Sequence, residues 1–520
     1  MNHNSPHTML FLEAAGKWSI SRIRENRVPL SAAFITGLLC YLYPMTNKLV
    51  NHDDAYSLFS KGATVSSGRW GLGALDTILP NYSMPWINGL LALILMAVAA
   101  ALLVRLLNVR SGILQGLLAG SILAFPSLIC AYAYLFTTHA FALSFLLSVL
   151  SVWILTKQHR LAWLPAIGCM IASLSIYQSY ISITAGALLL ILIRQLMEGE
   201  NLPSVLRKGV GYVLFLAASL GLYYMATQAV LILKNVSFNE YAGGNMGFSF
   251  SNLPAAALLA YQNFLRFFRE GLWGLMPTAF SRLLHSLSLI LSLVMIVLHM
   301  ASSFPRDWGR ALLLAILIAL LPLAANCMYL FTAADAVHTL VLYGFICLYG
   351  LLAITVDISL SSAGTCKISK LSRKIGAELI SLAMAAILLC NVFMANEVWL
   401  NLHLRYENAY SFFTSLSSDI KSMPEFGPDS KLALIGTYQG PEFYDQQFAF
   451  TSGMSGLKGI LPDSYSNGEF LTYYVGFPIP LAGSEEIHTL CELEAVAQMP
   501  AYPYYGSILT IEDYIIVKLS

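Results

Sequence analysis

The chain has 520 residues, of which 57% are hydrophobic and only 11% are charged, and its formal net charge is +1. This composition, with a mean hydropathy of +0.67, excludes an ordinary soluble globular protein and indicates a polytopic membrane protein. The sequence contains no nucleic-acid-binding motif, so no nucleic-acid partner is expected.

Apolar runs long enough to cross a hydrocarbon core, which takes about 20 helical residues, recur along most of the chain. They predict an all-α fold with about eleven transmembrane helices. The first extends from Leu30 to Thr46, and the stretch 161–196 is divided into two short helices by "SIYQSY". The other spans are predicted to begin near Trp86, Gly112, His139, Gly209, Leu283, Gly309, His338 and Ile375, and the last ends near Trp399.

The positions of the cations predict the orientation, because short loops rich in lysine and arginine stay on the cytoplasmic side. More than half of the 29 lysines and arginines lie in the N-terminal segment and in every second loop. The N-terminus is therefore expected inside and the C-terminal tail outside. These cations are Lys17, Arg22, Arg24, Arg27, Arg105, Arg110, Lys157, Arg160, Arg194, Arg207, Lys208, Arg306, Arg310, Lys367, Lys370, Arg373 and Lys374.

The tail predicts a second, water-soluble unit. It contains the apolar run "KLALIG", glycine- and proline-rich turns and a closing "EDYIIVKLS". This alternation of short strands and turns predicts a small external α/β domain. We therefore divide the chain into a transmembrane domain, residues 1–400, and an external domain, residues 401–520.

Charged side chains are concentrated directly after the first span, in "NKLVNHDDAYSLFSKGATVSSGRWGLGALD". Asp53 and Asp54 are adjacent, and His52 and Arg69 lie near them in sequence. Adjacent side chains on a helix point about 100° apart, so we expect one carboxylate to face a cavity and the other to orient a neighbour. The alternative is that these are ordinary solvated loop residues.

Two segments resemble the glucosyltransferase II family of GT-C-type membrane enzymes. "DDAYSLFSKGATVSSGRWGL" is similar to the acidic pair, spaced glycine and Gly-Arg element of that family, and "SIYQSYISI" is similar to its Tyr-Gln-Ser element. The order of many helices followed by a small outer domain is also similar. The Gly-Arg element here continues with Trp70, where a proline is expected.

The resemblance implies transfer of a hexose, typically glucose, from a polyprenyl-phosphate sugar to a cell-envelope glycan such as lipopolysaccharide O-antigen. It places the reaction on the outer side of the bacterial cytoplasmic membrane and implies no cofactor. Inversion at the anomeric carbon needs a base for the acceptor hydroxyl and a cation for the departing phosphate. By similarity, Asp53 or Asp54 is the base, with Asp53 preferred. Arg69 is the candidate for binding the phosphate, with Lys61 as a weaker charge and His52 as a phosphate donor or proton partner. The alternatives are an interfacial, snorkelling arginine for Arg69 and a solvated loop histidine for His52.

Other polar residues are predicted at the outward ends of the spans and can line the same cavity. They are His139, Tyr177, Gln178, Asp335 and His338. The alternative for each is a helix-end residue that is hydrogen-bonded to water or backbone. A metal held by His52, Asp53 and Asp54 is a further alternative, but consecutive ligands without a distant fourth make a poor site. The tyrosines of the tail either stack on acceptor sugars or pack against the transmembrane part.

Two other functions fit a chain of this kind. A transporter or flippase of a lipid-linked sugar also needs many helices and polar residues, but transporters usually hold charges at the midplane of repeated, broken helices. Here the acids concentrate outside, and the spans show no two-fold repetition. An envelope polysaccharide polymerase, which uses a lipid-linked oligosaccharide as donor, stays open as the third interpretation.

Overall fold

The computed structural model describes residues 25–59, 64–79, 82–157, 159, 161–238, 252–332, 334–361, 370–457, 459, 461 and 464–520. Lys61 and the cations Lys17, Arg22, Arg24, Arg160 and Lys367 lie outside the described residues.

The described residues up to Ser422 are mostly helical. In chain order the helices are α1 (Arg27–Thr46), α2 (His52–Tyr56), α3 (Trp70–Leu75), α4 (Pro85–Leu106), α5 (Gly112–Leu123), α6 (Pro126–Tyr132), α7 (Thr138–Leu155), α8 (Trp163–Ile176), α9 (Ile181–Met197), α10 (Leu202–Lys234), α11 (Leu253–Glu270), α12 (Ala279–Ser303), α13 (Trp308–Ala319), α14 (Leu321–Ala325), α15 (Ile346–Ser361) and α16 (Lys370–Ser422).

Nine helical segments in the described part of the chain are long and apolar enough to cross a membrane. A tenth results if α5 and α6, which meet at a bend of 47°, form one span. Helix α8 has 14 residues, fewer than a full crossing requires. The structure therefore supports a multi-pass membrane protein, whereas the number eleven stays a prediction.

The interruption predicted at "SIYQSY" is present. Tyr177 has an extended backbone (φ −152°, ψ 109°) that ends α8, and a 3₁₀ turn, Gln178–Tyr180, leads into α9. Tyr177 and Gln178 therefore lie at the junction of two short helices.

Two helix boundaries differ from the sequence-based prediction. The span expected near His338 begins with the 3₁₀ turns Thr339–Val341 and Tyr343–Phe345, and α15 starts at Ile346. Helix α16 continues beyond Trp399 to Ser422, since no glycine or proline follows until Pro424. Its length of about 80 Å exceeds the hydrocarbon core of about 30 Å. The predicted division at residue 400 thus falls inside one helix.

Helix α1 is fixed between α6 and α16 by buried contacts. The rings of Tyr41 and Tyr132 stack with their centroids 3.9 Å apart. The Tyr41 hydroxyl donates to the carbonyl of Leu123 at 2.7 Å, and the Trp399 indole donates to the carbonyl of Cys40 at 2.7 Å. The segment that follows α1 is therefore attached to a helix that buried contacts hold in place.

The tail contains a three-stranded sheet and short helices, and its predicted apolar runs form two of the strands. The sheet has the order β1 (Lys431–Ile435), β3 (Tyr514–Lys518), β2 (Ile508–Ile511). Strands β1 and β3 are parallel, and β2 and β3 are antiparallel. Helix α18 (Ser464–Tyr473) packs against α2, which places the tail over the segment that follows the first span. The elements are β1 (Lys431–Ile435), α17 (Glu442–Gln447), α18 (Ser464–Tyr473), α19 (Ser484–Cys491), α20 (Glu494–Ala497), β2 (Ile508–Ile511) and β3 (Tyr514–Lys518).

Candidate active site

The acidic pair lies in the first turn of α2, and Asn51 caps this short helix. The Asn51 side-chain oxygen accepts a hydrogen bond from the backbone N–H of Asp54 at 2.8 Å, and Asn51 is fully buried. Asparagine is among the best N-cap residues because its side-chain oxygen satisfies an otherwise unpaired helix N–H. The cap therefore fixes the start of α2 and with it the backbone positions of Asp53 and Asp54.

The two carboxylates occupy different environments. Asp54 is fully buried, and its oxygens accept from the Lys48 ammonium at 3.3 Å and from the backbone N–H of Phe136 at 3.1 Å. The Asp53 side chain is 41% exposed, and one of its oxygens lies 3.8 Å from His52 Nε2. Only Asp53 therefore presents a carboxylate to an incoming molecule, while Asp54 ties α2 to Lys48 and to the loop before α7.

Arg69 lies directly before α3, beside the junction of α8 and α9. Its guanidinium carbon is 5.4 Å from the centre of the Tyr177 ring, which is a cation–π distance. Its Nε is buried and makes no hydrogen bond within the described residues. A buried guanidinium N–H without an acceptor is costly, so this position suits an anionic ligand.

The loop that carries Arg69 is held by Gln178 and Tyr223. The Gln178 amide donates to the carbonyl of Ser67 at 3.2 Å and to the Tyr223 hydroxyl at 3.0 Å, and that hydroxyl donates to the carbonyl of Gly68 at 3.0 Å. Gln178 therefore acts on Arg69 through the backbone of its loop.

Trp70 and Gly71, the first two residues of α3, pack α3 against neighbouring helices. The Trp70 indole donates to the Thr227 hydroxyl at 3.1 Å, which anchors α3 on α10. A side chain at Gly71 would collide with Ser175, so the glycine lets α3 approach α8 closely. The tryptophan that stands where proline was expected thus supplies a tertiary contact.

His338 is joined to the tail by a directional chain of hydrogen bonds. The Ser455 backbone N–H donates to Thr339 Oγ1 at 2.8 Å, and the Thr339 hydroxyl donates to Ser455 Oγ at 3.0 Å. The Ser455 hydroxyl oxygen lies 2.7 Å from His338 Nδ1, and the hydroxyl is the donor of this bond when the imidazole proton is on Nε2. From this network we infer that His338 is the tautomer with its proton on Nε2.

Burial, together with the nearby charge of Arg69, lowers the pKa of His338 to about 4. The imidazole is therefore neutral at pH 7 and offers one N–H, at Nε2.

One tail segment reaches both sides of the site. Gly456 follows Ser455, has φ +75°, and packs so closely that a Cβ there would lie 2.8 Å from Asn51 Nδ2 and from the Tyr134 ring. Further along the tail, the Tyr474 hydroxyl is buried, and burial and the Asp54 carboxylate raise the pKa of Tyr474 well above its ordinary value. The tail therefore contacts the surroundings of both the acidic pair and His338.

The remaining sequence-predicted residues are less closely connected. His139 is buried at the start of α7 and Asp335 is exposed, and neither is joined to Arg69 or to the acidic pair by a hydrogen bond or ion pair in the described ranges. Lys61 falls outside those ranges. Within them, no three histidine, cysteine, aspartate or glutamate side chains are grouped so that they could hold a metal ion.

Sequence reasoning did not identify Lys48, Ser455 or Tyr223, and it included Tyr474 only among the tail tyrosines that either stack on acceptor sugars or pack against the transmembrane part. Lys48 carried a signal, because it lies six residues before Asp54 in the same short loop. Ser455 carried none, because its contact with His338 joins segments that are far apart in the sequence.

Comparison with known proteins assigns the chain to a family. The family model described as "Glucosyl transferase GtrII" matches residues 42–349, a range of 308 residues that includes the acidic pair, Arg69 and His338. No curated protein and no solved structure matches the chain significantly. Because the family match covers more than half of the 520 residues, this multi-pass chain belongs to the Glucosyl transferase GtrII family.

Proposed function

We propose that the protein transfers glucose from a polyprenyl-phosphate-linked donor to a glycan of the bacterial cell envelope, such as lipopolysaccharide O-antigen. Family membership supports a glucosyltransferase. The multi-pass architecture suits a donor whose lipid chain stays in the bilayer. The observation that carries the proposal is that the family-matched range holds both a partly exposed carboxylate and an arginine with an unsatisfied N–H.

Arg69 and His338 form the donor side of the proposed site. A phosphate oxygen that accepts from Arg69 Nε satisfies a buried N–H, and the fixed guanidinium fork also allows a bidentate contact. Neutral His338 adds an N–H donor at Nε2 without needing a proton from solvent. Both groups stabilise the charge that grows on the phosphate as the sugar leaves.

Asp53 is the proposed general base. The acceptor hydroxyl oxygen attacks the anomeric carbon of the donor sugar, and the carbon–oxygen bond to phosphate breaks with its electron pair going to the phosphate oxygen. Asp53 takes the hydroxyl proton, and polyprenyl phosphate leaves. Attack from the face opposite the phosphate inverts the anomeric configuration, which is the outcome that a GT-C-type enzyme would give.

Asp54 is proposed as a positioning residue rather than the base. Its two hydrogen bonds to Lys48 and to Phe136 are made inside the protein, where no acceptor hydroxyl reaches. Its negative charge instead orients α2 and therefore Asp53.

The proposed location is the cytoplasmic membrane of a bacterium, with the N-terminus inside and the site and tail in the periplasm. The distribution of lysines and arginines supports this orientation. A bulky glycan acceptor then arrives from the same side as the tail.

The direct test uses purified protein in proteoliposomes with radiolabelled polyprenyl-phosphate glucose and purified O-antigen polysaccharide. We expect a mass increase of one hexose on the acceptor and an anomeric configuration, read by NMR, that is opposite to that of the donor. The matched control is Asp53→Asn protein, reconstituted at the same density.

Two results would contradict the proposal. Label that crosses the bilayer without becoming attached to the glycan would indicate transport. Addition of whole oligosaccharide blocks from a lipid-linked oligosaccharide, with no use of the monosaccharide donor, would indicate a polymerase.

A further inference from the structure

Three exposed aromatic rings from separate segments meet beside α2. Phe59 follows α2, Tyr82 precedes α4 and Tyr473 ends α18 in the tail. The Phe59 ring lies 5.9 Å from that of Tyr82 and 5.1 Å from that of Tyr473, with interplanar angles of 78° in both pairs. The cluster thus joins the transmembrane part to the tail through ring contacts.

These rings remain open to a ligand although they contact one another. Phe59 is 63% exposed, and Tyr82 and Tyr473 are each 47% exposed. Single exposed aromatic residues are common on protein surfaces, but a contiguous group indicates a binding surface more strongly.

The cluster borders the proposed base. Helix α18 packs against α2, which carries Asp53. The residue after Tyr473 is Tyr474, and the negative charge of the nearby Asp54 raises the pKa of the Tyr474 phenol. A base must come within about 3 Å of the hydroxyl it deprotonates. The molecule that delivers the hydroxyl therefore has to pass over or rest on surfaces beside α2.

The chemistry of the cluster suits a sugar ring. A hexose has an apolar face of C–H groups and a rim of hydroxyls, so it matches an aromatic surface that is flanked by polar groups. Helix α2, which carries His52 and Asp53, contacts the helix that ends at Tyr473, and the tyrosines add two hydroxyls.

We propose that Phe59, Tyr82 and Tyr473 form an aromatic platform that binds a hexose ring of the acceptor glycan and presents its hydroxyl to Asp53. This inference rests on the proposed function, and it adds the part of the protein that holds the acceptor. Because Tyr473 belongs to the tail, the platform is complete only when the tail is docked on α2.

The test measures initial rates against acceptor concentration at saturating donor. We expect Phe59→Ala and Tyr473→Ala each to raise the acceptor KM roughly three- to tenfold, the range for loss of one aromatic contact, with the donor KM unchanged. Phe59→Tyr should retain the wild-type value because it keeps the ring. Tyr505→Ala is the matched control, since Tyr505 is a fully exposed aromatic residue of the tail outside the three-ring cluster.

Acceptor binding without turnover separates the platform from the reaction. O-antigen oligosaccharide should protect a Phe59→Cys thiol from alkylation in a Cys491→Ser background, and Tyr473→Ala should weaken this protection. If wild-type protein transfers no sugar but the protection is seen, the proposed function falls and the platform stands. Unchanged acceptor KM in both alanine variants of an active enzyme overturns the platform alone.

A membrane-facing role for the rings gives a different result. In that case a fluorophore attached to Phe59→Cys would be quenched by nitroxide-labelled lipids and would not respond to oligosaccharide. This outcome would also overturn the platform.

Discussion

Replacing the two adjacent aspartates one at a time distinguishes a base from a positioning residue. Asp53→Asn keeps the shape of the side chain but removes its basicity. General base catalysis contributes about 10²- to 10⁴-fold, which corresponds to roughly 3–5 kcal/mol of barrier. Because Asp53 is 41% exposed, we expect this loss in kcat without a change in thermal stability.

Asp54→Asn should behave differently. The amide oxygen can still accept from the Phe136 N–H, but the charge that faces Lys48 is lost. A hydrogen bond to a charged group is worth about 1.5–3 kcal/mol, and the partial exposure of Lys48 places the cost at the lower end of that range. We therefore expect a lower unfolding midpoint and a smaller loss of kcat than in Asp53→Asn.

The assay combines single-turnover transfer with thermal unfolding of the detergent-purified protein. Asp429→Asn is the control, since this carboxylate is exposed in the turn before β1. The assignment is refuted if Asp54→Asn is inactive at wild-type stability while Asp53→Asn remains active, because the two roles would then be reversed.

Three further predictions follow from the site and its orientation. Arg69→Ala should raise the KM for the lipid-phosphate donor, and Arg69→Lys should restore it only in part because the planar fork is lost; unchanged donor kinetics would contradict this role. Neutral His338, whose pKa is lowered from 6.5 to about 4, stabilises the fold fully above pH 6.5 and loses this contribution as the pH falls towards 4. His338→Gln should reduce the pH dependence of the unfolding midpoint between pH 6.5 and 4. An unaltered pH profile would argue against this contribution of His338. In intact cells a membrane-impermeant thiol reagent should label exposed Cys491 but not Cys366, which lies outside the described residues; the opposite pattern would invert the orientation.

Local features of the fold follow from local sequence. Hydropathy over a window of about 20 residues detects the spans because each span must meet the same bilayer thickness. The break at Tyr177 was predictable because a polar segment interrupts an apolar run too long for one helix. The end of α16 was not, because the loss of hydropathy after Trp399 ends a span without ending a helix.

The candidate site was predictable in its residue types but not in its connections. Asp53, Asp54 and Arg69 stand out as charges in an apolar chain. The partner of Asp54, the N–H of Phe136, is 82 residues away, and Ser455 is 117 residues from His338. Contacts at such separations depend on how helices and tail pack, and no periodicity in the sequence encodes that packing.

The tail segment at Ser455 and Gly456 relates the two halves of the proposed reaction. Ser455 lies 2.7 Å from Nδ1 of His338, on the proposed donor side, and Gly456 lies against Asn51, which caps the helix of the proposed base. The positive φ and the close approach at Gly456 leave no room for a side chain, so the segment packs tightly against Asn51 and Tyr134. A displaced tail would therefore release His338 and the Asn51 cap together, and would remove Tyr473 from the aromatic platform. In the proposed mechanism, the same docking of the tail on α2 therefore aligns the donor phosphate, the base and the acceptor.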